Sequence, residues 1–196
     1  MKSSSVLLSL ALAIGAPAFA AQPAKAPPSS APSVLLAAQK AALAPLSFMD
    51  GTWRGQARTT AMDGKEYVIT QTERVGPLLD GAIKLIEGRG YNADGSTGFN
   101  AFAVLSWNVQ KQAFVLSSHA MGHAGDFAFR PSSDGFAWEV QAGPMTMRYT
   151  TTIKDNTWHE VGDRVMPDGS TVRFFEMTLK RLGDTNWPAS GAVPLQ

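Results

Sequence analysis

From Gly51 onward the chain alternates apolar and polar positions with a period of two, the rhythm of strands that bury one face. Trp53, Gly55 and Ala57 share a face, against Arg54, Gln56 and Arg58 on the other. Tyr67 and Ile69 carry Gln71 and Glu73 with them, while Ile83 and Leu85 carry Glu87, Arg89 and Tyr91. Phe136, Trp138 and Val140 line up, as do Met145, Met147, Tyr149 and Ile153, and then Phe175, Met177 and Leu179. Turn residues separate these segments: Asp63-Gly64, Asp80-Gly81, Asp94-Gly95, Asn108 to Gln112, Asp134-Gly135, Asp155-Asn156 and Asp168-Gly169. The pattern predicts about ten strands, over 53–60, 65–75, 82–91, 99–107, 112–120, 124–130, 135–141, 145–153, 157–165 and 171–181. No intervening stretch is long and helical enough to be a parallel crossover. Successive hairpins predict an all-β, antiparallel, up-and-down barrel, which leaves no strand edge exposed.

Before Gly51 the period changes. Leu35, Leu36, Gln39, Ala42 and Leu43 fall at roughly helical spacing, with Ser33 as the expected N-cap and Pro45 ending the helix near Ala44. Such a short helix is unstable alone and is expected to cap one end of the barrel. Residues 22–33 are rich in Pro, Ala and Ser and read as a flexible linker. Residues 1–21 combine Lys2, an apolar run from Val6 to Ile14 and an Ala18-Phe19-Ala20 cleavage pattern, so a signal peptide cut near Ala20 or Ala21 is expected, with a periplasmic or secreted product. That run is too short to span a bilayer permanently, and no later stretch is longer, so no transmembrane segment is expected in the mature chain. The barrel domain is placed at 34–182, followed by a tail at 183–196.

Composition narrows the function classes. The 196 residues hold 17 basic and 16 acidic side chains and no cysteine. Near-neutral charge gives no footprint for nucleic acid. The absence of cysteine excludes disulfides and thiolate-ligated metal centres.

The stretch Phe48-Met49-Asp50-Gly51-Thr52-Trp53-Arg54-Gly55 resembles the opening of lipocalin-like (calycin) barrels. With Glu73-Arg74-Val75, Pro77, Leu79, Gly81 and Glu87-Gly88-x-Gly90, it is especially similar to a bacterial family of barrels of unknown function, and more distantly to nitrobindin-type haem barrels. The resemblance covers about 46–182 and implies the fold, with no agreed activity. Nitrobindin-type barrels hold haem through a histidine on the last strand; the matching stretch, Arg173 to Arg181, has none, and Phe174 or a neighbour stands in its place. Physically, Trp53 plugs one end of the barrel, and Arg173 or Arg181 is the expected cation beneath its ring.

Ten strands enclose more space than side chains easily fill, which points to a ligand cavity. The expected occupant is a small hydrophobic or amphipathic molecule, with Glu73, Glu87, Arg89, Tyr67, Tyr91, Trp138, Met147 and Tyr149 as the binding set. No catalytic set emerges: Glu139, Glu160 and Glu176 are present, but their spacing selects no pair. His119, Met121 and His123 would converge if they lay on one strand, an imidazole–thioether set suited to copper, but Gly122 and Gly125 also read as a hairpin turn there. A metal or haem protein using His119, His123 or His159 is therefore one alternative, and an envelope interaction module using the outer barrel face and the proline-rich arm is another. Oligomeric state is left open.

Overall fold

The computed structural model describes residues 31–185 and Trp187. The expected signal peptide, most of the linker and residues 188–196 lie outside the described residues. The helix α1 (Pro32–Leu43) passes into a 3-10 segment, Ala44–Met49, and then into ten strands. These are β1 (Gly51–Thr60), β2 (Glu66–Leu78), β3 (Ile83–Tyr91), β4 (Thr97–Asn108), β5 (Ala113–Ala120), β6 (His123–Pro131), β7 (Gly135–Ala142), β8 (Met145–Lys154), β9 (Thr157–Val165) and β10 (Thr171–Gly183). Each strand pairs antiparallel with the next, and β1 pairs with β10, so the sheet closes on itself. The expected barrel is therefore present, strand for strand.

The start of α1 differs from expectation. Ser33 lies inside the first turn, and Ala31 occupies the N-cap without a side-chain hydrogen bond. Pro32 explains the shift: its fixed φ and missing N–H suit the first helical position, so the chain enters the helix two residues earlier.

In a meander, alternate turns lie at opposite ends. The turns at 61–65, 92–96, 121–122, 143–144 and 166–170 ring one end, and the α1 side of the chain closes the other. Three of the first group repeat one device. Asp63, Asp94 and Asp168 each accept a hydrogen bond from the backbone N–H two residues on, and the intervening glycines take positive φ.

At the closed end, Leu43, Leu46, Met49 and Trp53 are buried together. Trp53 is 2% exposed, meets Trp158 edge-on at 5.7 Å, and donates from Nε1 to the Met49 carbonyl at 3.1 Å. Asp50 is the clamp of this end. Its carboxylate takes the ammonium of Lys84, which is only 3% exposed, and its carbonyl accepts from Arg181 Nε and Nη2. Arg181 also pairs with Asp184 at 2.6 Å. Arg181 is thus the last-strand cation at this end, used on the Asp50 carbonyl, while Arg173 pairs with Asp163 near the opposite end. Gly51, at φ 144, carries no Cβ where one would stand 2.9 Å from Arg181 Nε. Gly55 has its own reason: a Cβ there would meet the Thr178 carbonyl oxygen at 2.0 Å, so glycine lets β1 lie close against β10.

Buried Lys84 has its charge answered by Asp50. Asp50→Ala is expected to cost about 3–5 kcal/mol in urea denaturation, because it strands a buried ammonium. The double variant Asp50→Ala/Lys84→Met should recover most of that loss.

Candidate functional site

Alternation along the strands aims one set of side chains into the barrel, and above Trp53 these do not meet. They leave a cavity of about 380 Å³. Its walls are mostly apolar, including Ile69, Ile86, Leu116, Phe129, Phe136 and Met177. Aromatic rings form one side. Trp138 and Tyr149 stack at 4.3 Å, Tyr149 meets Phe174 and Phe175 edge-on at 5.7 and 5.8 Å, and Phe136 meets Trp158 at 5.7 Å. Phe174 and Phe175 are consecutive yet both line the cavity, because the register with β9 slips between Arg173 and Phe175. Gly162 makes room for them: a Cβ there would stand 2.9 Å from Phe175 Cβ and 3.0 Å from Phe174 Cε1.

Two carboxyl groups enter this apolar space. Glu73, on β2, accepts a 2.8 Å hydrogen bond from Gln71 Nε2. Gly88 on the neighbouring strand supplies its berth, since a Cβ there would lie 2.8 Å from Glu73 Oε1. Glu73 is half-buried and lines the cavity. Burial, opposed only in part by the Gln71 hydrogen bond and reinforced by Glu160 and Glu87, pushes its pKa up to about 8. Glu160, on β9, is buried and accepts from Thr151 Oγ1 at 2.7 Å and Trp158 Nε1 at 3.2 Å. Burial raises its pKa as well, and the hydrogen bonds only temper this. Tyr149 is held protonated, its pKa pushed up to about 12 by burial and by Glu160.

The expected binding set divides. Glu73, Trp138 and Tyr149 line the cavity. Tyr67 points the same way as Ile69 but stands at the rim, 49% exposed beneath Lys65. Met147 pairs in register with Arg164, a step outside the lining. Glu87, Arg89 and Tyr91 face outward, because the inward residues of β3 are Lys84, Ile86, Gly88 and Gly90. Glu87 pairs there with Arg74 at 2.6 Å. The expectation failed for a physical reason: Leu85 is buried on the outer side, where α1 lies against β3 and β4, and inward glycines carry no hydrophobic mark. Glu160 was visible in the sequence as a carboxylate two residues from Trp158, hence on Trp158's face, and that was the signal to use.

The histidines lie elsewhere. Met121 and Gly122, both at positive φ, form the β5–β6 turn. His119 then pairs with Ala124 and His123 with Ala120, so the two imidazoles take opposite faces of the ladder rather than converging on one strand. His159 lies on the outer face of β9, Nε2 3.2 Å from Glu176 Oε1. No group of three His, Cys, Asp or Glu able to hold a metal occurs among the described residues. For haem, the cavity walls offer carboxyl, phenol and thioether groups but neither imidazole nor thiolate among the described residues, so the histidine-ligated arrangement of nitrobindin-type barrels does not fit them. Trp187, in the expected tail, covers the outer face instead, over the Arg74 guanidinium at 4.1 Å and near Phe102.

Comparison with known proteins adds the fold. The crystal structure of Rv2717c from M. tuberculosis superposes with a TM-score of 0.54, at 12% identity, over 71% of this chain and 96% of that chain. That is the same barrel fold and nothing finer. No family model matches the chain, and no curated protein matches it. Among the described residues no helix is long and apolar enough to cross a membrane.

Glu73 also links the site to stability. Its folded pKa, about 8, lies above its ordinary value of 4.5, so the unfolded chain releases this proton first. Its contribution is complete below pH 4.5 and drains away as pH rises toward 8, by up to about 1.4 kcal/mol per pH unit. The denaturation midpoint should therefore fall less between pH 5 and pH 8 in Glu73→Gln than in the parent chain, with Glu160 leaving a residual slope of the same sign.

Proposed function

We propose that this chain is an exported barrel that holds a small, largely apolar molecule in its cavity, with no catalytic step assigned to the site. One observation carries the reading: an apolar chamber of about 380 Å³ with a few convergent polar groups, Gln71, Glu73, Tyr149 and Glu160. Sites for small molecules have this size and composition. The Gly51-x-Trp53 opening, with its plug and its Arg181-bound Asp50 carbonyl, supports a lipocalin-like relationship for the barrel. The basic start, apolar run and Ala-x-Ala site support export.

Native mass spectrometry of protein purified from its own host is the test. The expected result is a co-purifying mass that is released on denaturation and absent from Ala101→Trp, a variant that fills the chamber from its wall. A bare chain mass, together with no uptake of small apolar probes such as octanol, would overturn the reading.

A further inference from the structure

The cavity offers acceptors with no cation to answer them. No lysine, arginine or histidine stands among its lining residues. Basic groups near its mouth are His123, exposed on the cavity-facing side of the β5–β6 turn but outside the lining, and Arg164. Arg164, at the rim, donates from Nη2 to the Thr60 carbonyl at 2.6 Å and lies over the Phe174 ring at 4.8 Å. Lys84 holds Asp50 at the closed end, and Arg74 holds Glu87 outside. Meanwhile polar valences remain open toward the space. Gln71 Nε2 donates to Glu73 Oε1 at 2.8 Å and to the Thr72 carbonyl at 3.4 Å, and no hydrogen bond from a described residue reaches Glu73 Oε2 or the Tyr149 hydroxyl. Both groups line the cavity, where an occupant can meet their open valences. Four aromatic rings, Trp138, Tyr149, Phe174 and Phe175, line the same space, and an aromatic face turned toward a ligand attracts a cation.

We propose that the occupant is a hydrophobic organic ammonium, its apolar body against the aromatic wall and its charged nitrogen on Glu73, with Glu160 as the second acceptor. The inference rests on the binding reading above and narrows it. It entails a proton balance. At neutral pH the empty site holds Glu73 as the acid, since burial, Glu160 within the cavity and Glu87 on the neighbouring strand all oppose its charge. Tyr149 stays protonated beside it, and Glu160 is held by Thr151, Trp158 and Trp138. An incoming ammonium pairs with the Glu73 carboxylate, the O–H bond breaks, and the proton leaves to solvent. A neutral ligand of the same shape releases none.

Isothermal titration of the delipidated chain with octylamine, octanol and octanoate at pH 7, in two buffers of different ionisation enthalpy, tests this. The expected result is octylamine binding at least about tenfold more tightly than octanol, with octanoate weakest. Close to one proton should be released per octylamine and none per octanol. In Glu73→Gln the preference for the amine and the proton release should both disappear while octanol binding is retained; that retention shows an intact chamber. Should that variant misfold, the two-buffer comparison on the parent chain still decides. Octanol or octanoate binding as tightly as octylamine, or amine binding without proton release, overturns the ammonium inference and leaves the binding reading standing. Binding of none of the three overturns both.

Discussion

Closure of β1 against β10 is the constraint on which everything else in this molecule depends. An open ten-strand sheet would have two faces and two edges; joined along that seam, it has an inside. The seam is made possible by small things in the right order. Gly55 lets the two backbones approach, Gly51 clears the Arg181 guanidinium, and Arg181 ties the end of β10 to the Asp50 carbonyl at the start of β1. Lys84 reaches from β3 to the carboxylate of the same Asp50, so one residue anchors the first, third and last strands. Trp53 then fills the end thus gathered, its indole N–H satisfied by Met49.

With one end stoppered, what remains of the interior is set by side-chain volume. Gly88, Ala101, Ala103, Ser118 and Ala120 keep one wall thin, and the rings of β7, β8 and β10 thicken the other. Into this space the chain places two carboxyl groups, although removing a charge from water without a partner is among the more costly things a fold can do. Both groups respond as burial dictates, by holding their protons more tightly. A barrel selected for stability alone would carry apolar side chains there. Acids kept in a greasy chamber mark a place where the fold gives up stability, as the proposed binding role requires.

Much of this was legible in the sequence. The ten strands followed from the two-residue rhythm and the Asp-Gly turns, and the plugging role of Trp53 from its place after Gly51. Glu73, Trp138 and Tyr149 followed from facing the same way as buried neighbours. What was hidden was hidden for physical reasons. On β3 the inward face is Lys84-Ile86-Gly88-Gly90, which looks polar and empty, while Leu85 on the opposite face is buried beneath α1, so hydrophobicity pointed the wrong way. The irregularity at Phe174 lets two adjacent residues share the cavity, which strict alternation forbids. The His119–His123 pair changes face because a two-residue turn sits between them, a turn that Gly122 announced. Pro32 moved the helix start because its fixed φ and missing N–H suit the first helical position.

The chemistry of the chamber turns on the state of two carboxyl groups, and carbon-13 NMR reads it directly. A pH titration of the glutamate side-chain carboxyl signals, assigned by Glu73→Gln and Glu160→Gln, should show Glu73 with a midpoint near 8 and Glu160 displaced upward from the ordinary 4.5. The exposed glutamates provide the reference. If both signals titrate with that reference, the chamber is wet, the acids are ordinary, and the cavity has no proton to exchange for a ligand's charge.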